Sequence, residues 1–147
     1  MAGYMGSTFA NDYLQLIFNA VTITGLARDD AAPIANLYIS LHTADPTAGG
    51  NQASSEATYG GYARIAVART AGGWTVTTNS VANFAQLTVP SWASGATNTL
   101  TYFAIGTVVA PGAGKILYGG PLTNPVVMSA GNPTATIAAG GVTVTVT

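Results

Sequence analysis

Hydrophobic and polar positions follow two periods along this chain. Between residues 9 and 20 (FANDYLQLIFNA) the apolar side chains recur every three to four residues, with Phe9, Tyr13, Leu16, Ile17 and Ala20 on one stripe. That spacing predicts one amphipathic helix. Ser7 or Thr8 can accept hydrogen bonds from its first N–H groups, Asp12 lies near its positive end, and the β-branched run Val21–Thr24 followed by Gly25 ends it. From residue 35 onward the period becomes two. In Leu37–His42 the residues Leu37, Ile39 and Leu41 point one way and Tyr38, Ser40 and His42 the other, the pattern of a half-buried strand.

Further strands are predicted at 62–69, 74–78, 82–89, 100–109, 115–118, 125–129, 134–138 and 142–147. Turn signals separate them, among them Gly72-Gly73, Ser94-Gly95, Gly119-Gly120-Pro121, Gly131-Asn132-Pro133 and Gly140-Gly141. About eight short strands with one helix predict an all-β, single-domain β-sandwich or jelly roll spanning 9–147, preceded by a flexible arm at 1–8. Between the first two strands lies a long Ala-, Gly- and Ser-rich stretch, residues 43–60. Loops of that length are commonly functional or order on binding. The final alternation, Val142 to Thr147, suits a sheet interior or pairing with another chain.

Composition changes this picture in one respect. Only nine residues of 147 carry charge, 6% of the chain, against about 25% in an ordinary soluble domain. A surface covered by neighbouring proteins predicts such depletion, because charged residues are scarce at interface cores. The cations Arg28, Arg64, Arg69 and Lys115 are scattered, which argues against a surface that tracks nucleic-acid phosphates. Cysteine is absent, so no disulfide or thiolate metal site is available. No apolar run is long enough to form a transmembrane helix. The N-terminus lacks the basic region of a secretory signal, which predicts synthesis and assembly in the cytoplasm of the host cell.

Chemistry-bearing residues are few. His42 is the one histidine and precedes Asp45 by three positions, with serines in the loop beyond. A Ser–His–Asp arrangement would have to be built by the fold, since no nucleophile-elbow motif is present. The expected role of His42 is packing and backbone hydrogen bonding at the loop base. The acids Asp12, Asp29, Asp30, Asp45 and Glu56 have neither EF-hand spacing nor a facing carboxylate pair, so helix capping and turn formation are their expected uses. No phosphate-binding glycine motif is present. Catalytic residues, cofactors and metals are accordingly predicted to be none. The aromatic side chains are expected to serve core packing or subunit contact.

The string LYISLHTADPT, the Gly/Ser-rich loop and GGYARIAVAR (residues 37–69) resemble a family of small tailed-bacteriophage virion proteins often labelled phage tail fibre proteins. The likeness extends from about residue 9 to 147. It takes in the FANDYLQLIFNA helix, Ser91-Trp92-Ala93-Ser94-Gly95, the YFAIG strand and the segment ILYGGPLTNPVVMSAGNPTATIAAGGVTVTV. The continuation Gly106–Ala110 departs from the more polar family pattern and deepens the charge depletion. The resemblance implies a virion structural protein without catalytic residues. With the charge depletion it leads to a capsid decoration (cement) protein that binds the major capsid protein lattice and copies of itself at the capsid surface. A tail or tail-fibre subunit is the alternative, and a carbohydrate-binding β-sandwich module a third. Tyr4 and Met5 in the arm, with Tyr59 and Tyr62 beside the long loop, are the expected partner contacts; neither nucleic acid nor membrane is an expected partner.

Overall fold

The computed structural model describes residues 5–23, 26, 33–109 and 112–146. The fold is all-β with one short helix: α1 (Ser7–Asn19) is followed by nine strands. These are β1 (Asn36–His42), β2 (Ile65–Ala68), β3 (Trp74–Thr77), β4 (Ser80–Asn83), β5 (Leu87–Val89), β6 (Asn98–Gly106), β7 (Ile116–Met128), β8 (Ala135–Ile137) and β9 (Thr143–Thr145). They form three antiparallel sheets, ordered β2-β1-β6-β7, β3-β4-β9 and β5-β8. One core serves all three, joining Leu37, Ile39 and Leu41 to Leu100, Phe103 and Ile105, to Trp74 and Val81, and to Leu87, Val89 and Ile137.

The helix starts at Ser7, so two residues assigned to the arm belong to its first turn. Neither Ser7 nor Thr8 caps it: Gly6 holds the N-cap position without a side-chain bond. The buried face is Ala10, Leu14 and Phe18, an i, i+4 ridge, while Phe9 is left 41% exposed. The predicted stripe was therefore rotated; Tyr13 and Ile17 flank the true contact line. Phe18 fixes the rotation by inserting between Trp74 (ring centroids 4.9 Å apart) and Tyr118 (5.5 Å).

Three strand expectations need correction. The 82–89 segment is two strands in different sheets, divided by a bend at residues 84–86. Buried Asn83 organises that bend, donating to Ala85 O and Ala138 O and accepting from Val142 N. Gly119-Gly120-Pro121 is strand, not turn: Tyr102, Phe103 and Ala104 pair with Pro121, Gly120 and Gly119. The chain leaves register at residues 122–125 instead, where four β7 residues stand against one of β6 and Leu122 turns into the core. Pro121 and Pro125 are tolerated because β7 is an edge strand. The last strand, β9, lies at the edge of the three-stranded sheet, so of its two expected places the sheet interior is corrected, while pairing with another chain is the one that an edge permits. Its alternation is kept, with Val142 buried and Thr143 and Thr145 exposed.

Candidate functional site

β1 was expected to be half-buried, yet Ser40 and His42 on its second face are both 0% exposed. The reason is tertiary. β1 lies between β2 and β6, and the long loop folds back so that Glu56 bridges His42 and Ser55 O receives Thr43 N. The loop thus covers the face that alternation marks as polar.

Beneath it lies a continuous hydrogen-bonded cluster. His42 Nδ1 stands 2.8 Å from Ser54 O, and a carbonyl only accepts, so Nδ1 carries the proton. Nε2, 2.9 Å from Ser40 Oγ, then accepts from that hydroxyl. Burial lowers the pKa of His42 below its usual 6.5, holding the ring neutral. Gln52, also 0% exposed, sends its side-chain amide to Tyr38 O (3.2 Å) and its backbone N–H to Gly114 O (2.8 Å). A Cβ at Gly106 or Gly114 would collide with the Gln52 amide, which accounts for both glycines.

The second half of the cluster is ionic. Arg64 Nε donates to Glu56 Oε1 at 2.7 Å and Nη2 to Oε2 at 2.8 Å, a bidentate pair with 0% and 8% of the two side chains exposed. The remaining Arg64 donors reach Val108 O (3.0 Å) and Gly112 O (2.8 Å), tying the 107–114 connection to the 43–60 loop. Tyr62 completes the set, donating to Glu56 Oε1 (2.9 Å) and accepting from Leu41 N (3.0 Å). Desolvation raises its pKa, so the phenol stays protonated.

Chemically, Ser40 and His42 have the hydrogen bond of a nucleophile and its base, but not their surroundings. Neither side chain is exposed, and the group orienting the imidazole is a carbonyl where a triad has a carboxylate. Asp45 is engaged elsewhere, its Oδ1 accepting from Thr47 N at 2.8 Å in an Asx turn. No group of three or more metal-ligating side chains occurs among the described residues. The arrangement pins a long loop; it does not present a reactive atom.

The residues expected to touch partners are placed as follows. Tyr4 lies outside the described residues, and Met5 is half-buried ahead of α1. Tyr59 is 2% exposed, its ring is in the core and its hydroxyl donates to Pro90 O (2.7 Å), so the expectation of a partner-facing ring is corrected. Burial pushes its pKa up to about 12. Tyr62 is half-buried against Tyr59, with its hydroxyl committed to the loop clamp.

What the sequence left unmarked is the outer edge of β7. Among the described residues no strand pairs with it, and β7 residues line two clefts. One, of about 460 Å³, lies between residues 45–48 and 116–119; the other, of about 230 Å³, lies between 122–126 and 136–141. The run ILYGGPLTNPVVM carries no charge. Its length without charge was the available signal, obscured by the apparent turn at Gly119-Gly120-Pro121. Among the described residues, charge is still scarcer on the exterior than the sequence suggests. Glu56 and Arg64 are consumed internally, and Arg69 donates to Leu16 O and Ile17 O at the end of α1.

Comparison with protein families matches residues 5–145 to the podophage GP4 fiber I protein gp80 family. The chain belongs to that family. No curated protein matches it. The membership agrees with the resemblance carried by residues 37–69 and with the all-β fold, and it makes the chain a bacteriophage virion structural protein.

Proposed function

We propose that this family member is a non-catalytic building subunit of a podophage fibre. The match to a fibre family over residues 5–145 carries the reading. The internal use of its polar chemistry supports it: the Ser–His pair, the ion pair and the buried glutamine all hold the 43–60 loop, and none of them lines either of the two clefts beside β7. Such a subunit contributes shape and contact surface, with the virion as its place and no cofactor.

A capsid decoration protein that binds the major capsid protein is the second reading. One observation favours it: apart from the buried Arg64–Glu56 pair and Arg69, which is tied to the end of α1, the described charged groups are only Asp12, Asp45 and Lys115. A broad neutral surface suits a lattice that covers it. Quantitative gel staining and cryo-EM of purified particles separate the two. A fibre subunit follows the rotational symmetry of the tail in copy number and density. A copy number matching the capsid lattice, with density on the shell, would overturn the fibre reading.

A further inference from the structure

We propose that residues 43–56, together with 107–109 and 112–114, form one local unit that unfolds while the sheets stay intact, and that protonation of His42 drives its opening. The device is an acid-sensitive latch, and it does not depend on which part of the particle the chain occupies.

What holds this unit differs from what holds the sheets. No residue of 43–56, and none of 107–109 or 112–114, belongs to the hydrophobic core or packs against it. Pro46 and Gln52 are the buried residues of the first segment, and Gly114 is the one buried residue described in the second. A segment with few buried apolar contacts opens at a fraction of the global unfolding free energy. The attachments are polar instead, and they converge. Gln52 N donates to Gly114 O at 2.8 Å, and Val108 N donates to Gln52 Oε1 at 3.4 Å. Arg64, gripped by Glu56, reaches Val108 O and Gly112 O. Neither segment can leave without breaking bonds to the other or to a shared partner, so they open as one.

His42 lies under the first segment, at the end of β1. Its Nδ1–H ends on Ser54 O, so the loop is itself the cover that keeps the ring dry. The charged and titratable groups around the ring come from three places. The loop supplies Glu56, bridged to His42, and Asp45. The segment before β2 supplies Arg64 and Tyr62, both bonded to the Glu56 carboxylate. β6 supplies Tyr102, opposite His42 in the register. Burial is the largest influence on the imidazole, and Ser54 O with the two carboxylates does not offset it, so its pKa in the closed state lies below 6.5. The closed state resists the proton and the hydrated, open state accepts it. Above pH 6.5 the latch has its full strength; as pH falls below it, the open population rises by up to about tenfold per pH unit. Opening brings a charged imidazole, Glu56 and Arg64 to a surface that otherwise carries few charges.

Amide hydrogen exchange, read residue by residue by NMR on the full chain, tests this from about pH 7 to about pH 5, a window above the ordinary carboxyl range. After correction for intrinsic rates, protection at Thr43, Gln52, Val108 and Gly114 should fall in parallel, approaching tenfold per pH unit below 6.5. The paired residues Ile39 and Ile105 of β1 and β6 should keep theirs. The chain has one histidine, so its imidazole signal follows the proton directly and should titrate together with the loss of protection. His42→Asn keeps a donor toward Ser54 O without a titrating ring and should abolish the pH dependence. Gln52→Ala should raise exchange at Thr43 and Gly114 by a common factor at every pH. Protection in the parent that is flat with pH, segments that exchange independently, a loss shared equally by β1 and β6, or a pH dependence that survives His42→Asn would each overturn the proposal.

Discussion

Arg64→Ala removes the centre of the loop clamp, and its cost follows from what it strands. The guanidinium makes two bonds to Glu56, at 2.7 and 2.8 Å, and two to the carbonyls of Val108 and Gly112. Without it a carboxylate whose side chain is only 8% exposed loses its counter-ion. Breaking a buried pair from one side costs about 3–5 kcal/mol, most of it the penalty of the charge left behind. For a chain of this size that corresponds to a fall in melting temperature of roughly 10–15 °C. Differential scanning calorimetry at neutral pH measures it, and limited proteolysis should show new cleavage within 43–60. Arg64→Lys keeps the charge but loses the two-pronged geometry, and should fall between the parent and Arg64→Ala. The double variant Glu56→Leu/Arg64→Met leaves no unpaired charge and should recover much of the loss. If Arg64→Ala costs less than about 1 kcal/mol, the value of an exposed pair, then the clamp is not what holds the loop.

Other expectations follow from the same structure. The pKa of His42 is lowered in the folded state by burial, so the unfolded chain binds its proton more readily. Stability should therefore be full above pH 6.5 and decline as pH falls below it; His42→Asn should flatten that part of a melting-temperature profile. Phe18→Ala empties a fully buried site between Trp74 and Tyr118 and should cost about 3–5 kcal/mol by urea denaturation. Gly73→Ala would drive a Cβ into Ala68 O, a backbone atom that cannot swing aside; it should lower the melting temperature, whereas Gly131→Ala, which meets only the Ser129 hydroxyl at 4.0 Å, should leave it nearly unchanged.

Fold class was legible in the sequence because period two and period 3.6 are local properties of a chain. The helix at Ser7–Asn19, the strand at Asn36–His42 and the inward valines of Val142–Val146 all follow from which neighbours share a face. Lack of charge was legible too, since composition does not depend on folding. Tertiary structure decided what alternation cannot: which faces are covered and by what. Tyr38, Ser40 and His42 read as the wet side of a strand, yet Ser40 and His42 are dry because a loop ending some fourteen residues later (Ser54–Glu56) returns over them. Glu56 and Arg64 look like ordinary surface charges until the chain brings them together under that loop. Gly119-Gly120-Pro121 reads as a turn, and becomes strand only because β6 lies beside it in register. Pairing and burial depend on contacts between residues far apart in the chain, and a local pattern carries no record of them.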